Sequence, residues 1–435
     1  MAEKKRTKAD SRLFHVPRGM HDVLPADQPW WDRVSRVVRD LADFYNFGRI
    51  ETPILESAAL FERGVGQDTD MVSKEMYFVK TKGGDVLALR PENTASVVRA
   101  YLEHHLSRVS QPQRLWYQGL FFRHENPQAG RFRQFSQVGF EIIGGANDPI
   151  YDAQIVMVFS RLLEELKIRN TVLKVNSIGC RVCRPLYKRQ LQAHYKRYEK
   201  KICADCVYRL KTNPLRLLDC KDEACKGIKE KAPNFFDKLC VTCSNHLKTV
   251  LEYLDELAVS YALDNQLVRG IDYYSRTVFE FFVEGPGSEV GALPGGGRYD
   301  YLVETLGGRM TPAVGGACGI ERLIHVMKAQ EVKLPQKNQK KVFLIHVGEQ
   351  AKKKSLRIIE SLRSAGIPVV ESLGRESLKA QLKMADREGA ELALIFGQRE
   401  IFEENIIVRN LKNSLQETVA LDKLVEEIKR RLRNS

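Results

Sequence analysis

Three arginines in separate parts of the chain stand where they could bind one anion. Arg123 follows an apolar run, Arg269 opens the stretch LVRGIDYYSRTVFEFF, and Arg322 follows Gly319 and Glu321 at the start of a helical pattern. A guanidinium group offers a planar fork of donors that matches the oxygens of a phosphate. The three cations could therefore hold a polyphosphate. For Arg269, the alternative is a solvated strand edge, because the second half of its stretch alternates like a strand.

Polar side chains that could bind a small molecule surround these arginines in the sequence. Gln137 and Glu141 lie four residues apart in a strand-like run and therefore on one face of it. Glu92 and Thr94 precede a helical pattern, where the alternative is a helix that begins at a proline with an acidic first turn. The glycines 295–297 allow close approach of the backbone to a phosphate or a flat base, although such runs also occur in ordinary bends.

Eight of the nine cysteines fall between residues 180 and 250 as four close pairs. The pairs are Cys180 and Cys183, Cys203 and Cys206, Cys220 and Cys225, and Cys240 and Cys243. Four pairs could form two tetrahedral zinc sites, since two ligands on one tight turn need a second turn to complete the sphere. Buried free thiols are the alternative, and the longer gap between Cys220 and Cys225 favours that alternative.

Charge is concentrated in the same segment. The chain has 435 residues and a formal net charge of +14, and residues 180–250 hold 17 Lys and Arg against 7 Asp and Glu, a net of +10. A basic module of this kind favours a polyanionic partner such as a nucleic acid, although a basic surface that binds nothing specific is the alternative. Neither a membrane span nor a secretory signal is found in the sequence, so a cytosolic protein is expected.

Periodicity predicts the elements that position these residues. Residues 30–46 have the spacing of an amphipathic helix, followed by a turn into a strand that ends near Pro53. Residues 112–142 predict a long hairpin whose connection is HENPQAGRFRQ. The glycine-dense residues 295–325 end at a helix start, and residues 328–341 form a polar linker. After the linker, strand and helix patterns alternate as in an α/β domain.

Several of these stretches resemble the motifs of one enzyme class. Arg123 with FRHENP resembles motif 2 of class II aminoacyl-tRNA synthetases, GIERL resembles motif 3, and the helix that ends near Pro53 resembles motif 1. LVRGIDYYSRT is similar to the signature peptide of the histidyl-tRNA synthetases. RPENTA, GRFRQFSQVGFE and GGGRYDYLVETLGG resemble that family at matching intervals. The resemblance extends from about Arg18 to near the C-terminus.

The resemblance implies a fold and a domain order. The expected fold is α+β, with a class II synthetase catalytic domain on a mixed, mainly antiparallel sheet, a small inserted helical module and a C-terminal α/β anticodon-binding domain. The expected domains are residues 1–179 and 251–328 for the two catalytic parts, 180–250 for the basic cysteine-rich module and 341–435 for the anticodon-binding domain. Motif 1 implies a homodimer, and the family implies a cytoplasmic enzyme.

The resemblance also implies a reaction and roles for residues. Histidine would attack ATP, with Mg²⁺ on the phosphates, and the histidyl group would then pass to tRNA(His). Arg123 and Arg269 would face the α-phosphate from opposite sides, and Arg322 would hold the γ-phosphate. The amino-acid site would be formed by Glu92, Asn93, Thr94, Gln137, Glu141, Tyr273 and Tyr274, of which Glu141 and the two tyrosines would contact the imidazole. Gln128 would contact the tRNA acceptor end.

The sequence departs from the family pattern at two positions, and two other functions are alternatives to the one that the resemblance implies. Asn93 stands where many relatives have Gly, and Asn126 stands where a cation is common. The first rival is a catalytically silent paralogue that binds histidine as a regulatory subunit in histidine biosynthesis. Such paralogues lose the arginines and the anticodon domain, both of which this chain keeps. The second rival, a general nucleic-acid-binding protein, leaves the cluster of predicted site residues without a role.

Overall fold

The computed structural model describes residues 14–335, 341–375 and 377–434, with the side chain of residue 434 excluded. Contacts divide the chain into two compact units, Met1–Leu334 and Pro335–Ser435. Residues 1–12, which carry the basic N-terminal sequence, and residues 336–340 of the predicted linker lie outside the described residues. No helix in the described part of the chain is long and apolar enough to cross a lipid bilayer.

The first unit is built on a large sheet with a small one beside it. Its described strands are β1 (Gly48–Arg49), β2 (Leu55–Ser57), β3 (Tyr77–Lys80), β4 (Val86–Leu89), β5 (Gln113–Phe122), β6 (Gln134–Ile143), β7 (Thr171–Ser177), β8 (Tyr261–Leu263), β9 (Ser275–Val283), β10 (Gly295–Arg298) and β11 (Ala313–Gly319). The large sheet has the order β1-β5-β6-β11-β10-β9-β7-β8, and the small sheet has the order β2-β4-β3. Only the pairs β1–β5 and β7–β8 of the large sheet are parallel among the described pairings, so the predicted mixed, mainly antiparallel sheet is confirmed.

Helices cover one face of the large sheet. The described helices of the first unit are α1 (Gln28–Phe44), α2 (Ala58–Val65), α3 (Thr94–Glu103), α4 (Ile150–Glu165), α5 (Arg184–Lys196), α6 (Ala204–Thr212), α7 (Glu223–Glu230), α8 (Val241–Glu256), α9 (Leu302–Thr305) and α10 (Ile320–Ala329). Apolar residues of α1, α4, α8 and α10 form one core with every second residue of β6 and β9, including Phe140 and Phe279. The alternate residues of these strands, such as Gln137 and Glu280, therefore face the other side of the sheet, where a cavity lies.

The predicted elements of the first unit correspond closely to the observed ones. The helix predicted at residues 30–46 is α1, and the predicted hairpin is the β5–β6 pair, whose register matches Tyr117 with Gly139. The strand predicted to end near Pro53 is shorter than expected, because β1 has two residues and Pro53 lies between β1 and β2. Proline lacks the N–H that would continue a sheet ladder, which fits the position of Pro53 outside both strands.

The inserted module is helical in the structure, as the resemblance implied. Residues 180–250 contain α5, α6, α7, the first part of α8 and a 3-10 helix at Pro214–Asp219, with no strand. The predicted boundary at residue 250 falls inside α8. Leu247, Val250 and Leu254 of that helix are buried in the core with α4, so a single helix joins the module to the catalytic sheet.

The second unit has its own sheet and core. It contains strands β12 (Val342–His346), β13 (Val369–Glu371), β14 (Leu392–Phe396), β15 (Asn405–Asn410) and β16 (Gln416–Ala420), and helices α11 (Glu349–Ser364), α12 (Leu378–Arg387), α13 (Gln398–Phe402) and α14 (Leu424–Asn434). The order is β13-β12-β14-β15-β16. The strands β13, β12 and β14 are parallel, as the alternating patterns predicted. The antiparallel strands β15 and β16 extend the predicted sheet.

Candidate active site

A cavity of about 620 Å³ lies on the face of the large sheet opposite α1, α4, α8 and α10. Most of the residues predicted for the site from the sequence line it, namely Glu92, Thr94, Arg123, Gln137, Arg269, Tyr273, Tyr274 and Arg322. They come from the start of α3, the β5–β6 hairpin, the loop before β9 and the start of α10. The structure therefore brings together residues that are widely separated in the chain.

Arg269 is held in the cavity wall by Glu280. The two side chains form an ion pair, and the guanidinium group of Arg269 lies 5.4 Å from the centre of the Tyr274 ring. Burial lowers the pKa of this arginine, but Tyr274 and Glu280 more than offset it, so the pKa is raised. A Cβ atom on Gly295 would lie 2.5 Å from Nη1 of Arg269, so glycine at that position makes room for the guanidinium group. The solvated strand-edge interpretation of Arg269 is wrong, because its side chain is only 19% exposed and pairs with Glu280 of β9.

Arg123 and Arg322 present positive charge to the same cavity. Nε of Arg123 donates to the carbonyl of Pro91 at 2.8 Å, and its guanidinium group lies 5.3 Å from the centre of the Phe135 ring. Arg322 donates to the carbonyl oxygens of Gly130 at 3.1 Å and Ala292 at 2.7 Å. Burial, and after it the charge of nearby Arg131, lowers the pKa of Arg322. Neutral carbonyl partners do not cancel this charge, which makes this part of the cavity suitable for an anion.

The carboxylate of Glu92 bonds both to the start of α3 and to Tyr273 at the wall of the cavity. It accepts hydrogen bonds from the backbone N–H groups of Thr94 at 2.7 Å and Ala95 at 2.9 Å, so it stabilises the start of α3. The hydroxyl of Tyr273 also donates to it at 3.3 Å. Burial raises the pKa of this carboxyl group. The helix begins at Thr94, with Asn93 directly before it and no acidic residue in its first turn, so the interpretation as a helix that begins at the proline with an acidic first turn is wrong. The Glu92 carboxylate bonds to the helix start from outside the helix and also lines the cavity.

Glu141 is fully buried and contacts the lining residues from behind, without being one of them. It accepts hydrogen bonds from Tyr299 at 2.6 Å, Thr94 at 2.9 Å and Tyr117 at 3.5 Å. Burial raises the pKa of Glu141 to about 8, although the hydrogen bonds from Tyr299 and Thr94 oppose the rise. A Cβ atom on Gly315 would lie 1.6 Å from its carboxylate, so only glycine fits at that position.

Tyr117, Tyr299, Glu280 and Glu321 were missed by the sequence reasoning. Tyr117 and Glu280 could have been found from strand alternation, because each lies on the cavity face of its strand. Tyr299 directly follows the glycine-rich strand. Glu321, next to Arg322, accepts a hydrogen bond from the backbone N–H of Ser136 at 2.7 Å, and burial raises its pKa to about 7.

Two predicted residues lie away from the cavity. The side-chain oxygen of Asn93 accepts a hydrogen bond from Thr52 at 2.7 Å, and Asn93 is not among the lining residues. Gln128 is exposed in the β5–β6 connection, where it pairs with Arg131. Asn126 is exposed in the same loop. Of the glycines 295–297, Gly295 alone lines the cavity.

The cysteines of the module form two groups of four. The first contains Cys180, Cys183, Cys240 and Cys243, and the second contains Cys203, Cys206, Cys220 and Cys225. Within each group the four Sγ atoms lie within 4.8 Å of one another. Each group thus combines two of the pairs seen in the sequence, which is the arrangement that tetrahedral metal coordination requires.

The mainly antiparallel sheet has one arginine on its hairpin and another at the helix that resembles motif 3, and a separate α/β unit follows in the chain. Together these features define a class II aminoacyl-tRNA synthetase. A family profile described as histidyl-tRNA synthetase matches residues 19–323, and one described as anticodon binding domain matches residues 341–431. The chain belongs to the histidyl-tRNA synthetase family.

Individual relatives agree with the family assignment. A histidine--tRNA ligase of Dehalococcoides mccartyi is 45% identical over 97% of this chain and 100% of that protein. A histidine--tRNA ligase of Halothermothrix orenii is 42% identical over 95% of this chain and 99% of that protein. Among solved structures, apo histidyl-tRNA synthetase of S. aureus is 33% identical with a TM-score of 0.79, and the match covers 95% of this chain and 99% of that one.

Proposed function

We propose that the cavity of the first unit activates L-histidine with ATP, in a chain whose family is that of the histidine--tRNA ligases. The main support for this proposal is that three arginines converge on one cavity, namely Arg123, Arg269 and Arg322. Beside them lie two hydrogen-bonded pairs, Glu92 with Tyr273 and Glu141 with Tyr299. One end of the cavity suits a polyphosphate, and the other suits a small polar amino acid. The carboxylate of histidine attacks the α-phosphorus of ATP, the bond to the β-phosphate breaks, and pyrophosphate leaves.

In this proposal the arginines stabilise charge that develops on the α-phosphate. Arg269, oriented by Glu280, and Arg123, oriented by Pro91, face the phosphate from opposite sides, and Arg322 binds the γ-phosphate. Preorganised donors of this kind commonly contribute about 3 kcal/mol each to transition-state stabilisation. Mg²⁺ enters with ATP as part of the nucleotide substrate. Glu321 suits a hard cation, because its Oε2 lies buried without a hydrogen-bond partner in the structure as described.

The histidine site uses the buried carboxylates. Glu92, Thr94 and Gln137 bind the amino and carboxylate groups of histidine, while Glu141, Tyr273 and Tyr274 select its imidazole. Glu141 lies behind the lining residues, so in this proposal it acts on the ring through Thr94 and Tyr117, which line the cavity and donate to it at 2.9 and 3.5 Å. Apolar amino acids would leave these buried groups unpaired and would be rejected.

We further propose that the histidyl group is transferred to the 3′-terminal ribose of tRNA(His), with release of AMP. The match of residues 341–431 to an anticodon-binding domain supports tRNA recognition by the second unit. Gln128, exposed in the hairpin connection, is proposed to contact the acceptor end. A cytoplasmic location fits a tRNA substrate. Structural zinc, which the cysteine pairs predict, is not a reagent in this chemistry.

Homodimer formation is proposed from the resemblance of α1 and its following strand to motif 1. Supporting it, the small sheet exposes the apolar side chains of Leu55, Phe78, Val79 and Val86, which are between 37% and 52% exposed. Such a group of exposed apolar residues is typical of an interface. Light scattering of the purified chain should give twice the 49.7 kDa mass of one chain.

Histidine-dependent exchange of pyrophosphate into ATP tests the proposed activity. We expect exchange with histidine, no exchange with leucine, and charging of tRNA(His) in the presence of both substrates. A regulatory paralogue would bind histidine without any exchange. That result would contradict the proposal even if histidine binding were tight.

A further inference from the structure

The two cysteine clusters have the dimensions of tetrahedral thiolate sites. In the first cluster, Sγ of Cys180 lies 3.8 Å from that of Cys183 and 3.9 Å from that of Cys240, and in the second, Sγ of Cys203 lies 3.7 Å from that of Cys220. Zinc bonded to four sulfurs at about 2.3 Å places neighbouring sulfurs about 3.8 Å apart. A disulfide requires a separation of about 2.05 Å, and all nine cysteines are free.

Backbone groups around the sulfurs favour thiolates. The N–H of Cys180 points to Sγ of Cys183 at 3.3 Å, and the N–H of Val182 points to Sγ of Cys180 at 3.4 Å. In the second cluster, the N–H of Cys203 points to Sγ of Cys225 at 3.3 Å. Donors directed at sulfur stabilise the charged form, which is the form that binds zinc. Thiols packed only for their apolar character would not need these donors.

Helix starts add to this effect at both clusters. Cys183 and Cys240 directly precede α5 and α8 in the first cluster. In the second, Cys203 directly precedes α6, and Cys225 lies in the first turn of α7. The positive end of a helix dipole stabilises negative charge, and a zinc ion with four thiolates carries a net charge of about −2. Each cluster therefore has two helix starts in contact with the charge it would carry.

The second cluster is continuous with the wall of the catalytic cavity. Cys220 lies between Asp219 and Lys221, which both line the cavity. Nζ of Lys229, another lining residue, donates to the carbonyl of Cys220 at 3.1 Å. The preceding segment is joined to the catalytic part by the Arg216–Asp70 ion pair at 2.8 Å. The first cluster instead joins the two ends of the module, since Cys180 and Cys240 are 60 positions apart.

We propose that each cluster binds one zinc ion and that the zinc of the second cluster fixes the module's part of the cavity wall. The module, residues 180–250, has short helices and no strand, and its helices pack around buried side chains such as Tyr187, Leu217 and Phe235. Metal sites commonly stabilise small domains of this kind. The statement about the cavity wall rests on the proposed function, whereas the statement about zinc does not. The two statements are therefore tested with different measurements.

Metal content of the purified full-length chain tests the zinc sites. Mass spectrometry of the metals should find two zinc ions per chain, and Co²⁺ replacement should give the visible absorption of tetrahedral cobalt thiolates. Cys180→Ser/Cys183→Ser and Cys203→Ser/Cys220→Ser should each retain one ion. Cys318→Ser, which changes the ninth cysteine, should retain both. The proposal would be overturned if the unmodified chain contained no zinc and its eight thiols either titrated freely or were joined as disulfides. This result needs no variant.

Substrate affinity in the exchange reaction tests the role of the second cluster. In Cys203→Ser/Cys220→Ser, KM for ATP or histidine should rise roughly tenfold or more, because small displacements of a site wall have large effects. Cys180→Ser/Cys183→Ser should change KM less, because its sulfurs do not adjoin lining residues. Equal KM values in both variants would overturn the role of the second zinc in the wall. Failure of the unmodified chain to catalyse exchange would instead contradict the proposed function and leave the metal count intact.

Discussion

Tyr299 donates a hydrogen bond of 2.6 Å to the fully buried carboxylate of Glu141, although the two residues are 158 positions apart. Tyr299 directly follows β10 and Glu141 lies in β6, so β11 separates the two strands. The contact is possible because β11 has Gly315 opposite Glu141. A buried carboxyl group held by hydroxyl donors can orient those hydroxyls toward a ligand, but it is costly to ionise. Stability and activity should therefore respond in opposite directions when it is replaced.

Glu141→Gln should stabilise the chain at alkaline pH and reduce histidine activation. The pKa of Glu141 is about 8 in the folded chain against an ordinary 4.5. Between those pH values the folded state retains a proton that the unfolded state has released, so the free energy of unfolding falls as pH rises. Glutamine does not ionise, and we expect the variant to be more stable by more than about 1 kcal/mol at pH 8.

The measurement is the thermal midpoint of both proteins from pH 4 to pH 9, together with pyrophosphate exchange. The difference between the midpoints should grow up to about pH 8 and then remain constant, while exchange falls about a hundredfold. Parallel stability curves would show that Glu141 is already ionised at neutral pH. Glu388→Gln, at an exposed position at the end of α12 in the second unit, is a matched control and should change neither quantity.

Loss of Arg269 should abolish most adenylate formation. Arg269→Ala alone would leave Glu280 as an unpaired, nearly buried charge, which is strongly destabilising. The double variant Arg269→Ala/Glu280→Gln avoids that cost and should fold. Its exchange rate should fall by about a hundredfold or more, since one preorganised donor to the transition state is lost.

The single variant Glu280→Gln distinguishes the charge of Arg269 from the orientation of its side chain. It keeps the positive charge of Arg269 but replaces the ion pair that orients it with a weaker hydrogen bond. Its exchange rate should therefore lie between those of the double variant and the unmodified chain. Circular dichroism checks that each variant is folded. Near-normal exchange by a well-folded double variant would show that Arg269 has no part in the chemistry.

Local patterns in the sequence predicted the elements and the faces of single strands, but not the contacts between distant segments. Gln137 and Glu141 could be assigned to one face because the strand period is two residues. The convergence of Arg123, Arg269 and Arg322 could be expected only from resemblance to a family, since no local pattern relates three distant segments. The Glu280 partner of Arg269 depends on how the preceding loop folds onto β9.

The cysteines show the same limit. Their pair spacing predicts tight turns with two ligands each, but the pairs could combine in more than one way. The structure joins the first pair with the last and the two inner pairs with each other. That choice depends on how the helices of the module fold together: Cys183 and Cys240 directly precede α5 and α8, and Cys243 lies in the first turn of α8. No spacing rule contains this information.

Removal of the second unit should separate histidine activation from tRNA charging. A chain that ends at residue 340 keeps every residue assigned to the catalytic cavity. The core residues of the first unit do not overlap with those of the second, so the shortened chain should fold. Exchange should stay within a few-fold of normal, whereas charging of tRNA(His) should fall far more. Equal losses in both assays would mean that the second unit supports the catalytic part instead.

The basic module should bind the tRNA body through charge. Lys196, Arg197, Lys200 and Lys201 are exposed at and beyond the end of α5, and replacing them with glutamine removes four positive charges. Each phosphate that a protein neutralises releases counterions, so tRNA affinity falls with salt by an amount that reports the number of contacts. The variant should bind tRNA more weakly and with a smaller salt slope. Its exchange rate with histidine and ATP should stay normal, since these four residues do not line the cavity.

A second variant with the same charge change supplies the control. Arg36, Arg39, Lys167 and Arg169 are exposed on or near the helices that cover the opposite face of the sheet. Their replacement with glutamine lowers the net charge by the same amount without altering the module. Affinity for tRNA(His) is measured at several salt concentrations for all three proteins. If both variants shift the salt curve equally, net charge alone governs binding. We expect a reduced salt slope only in the module variant. The module has 17 basic and 7 acidic residues, a surplus of +10, and this concentrated charge attracts phosphates locally.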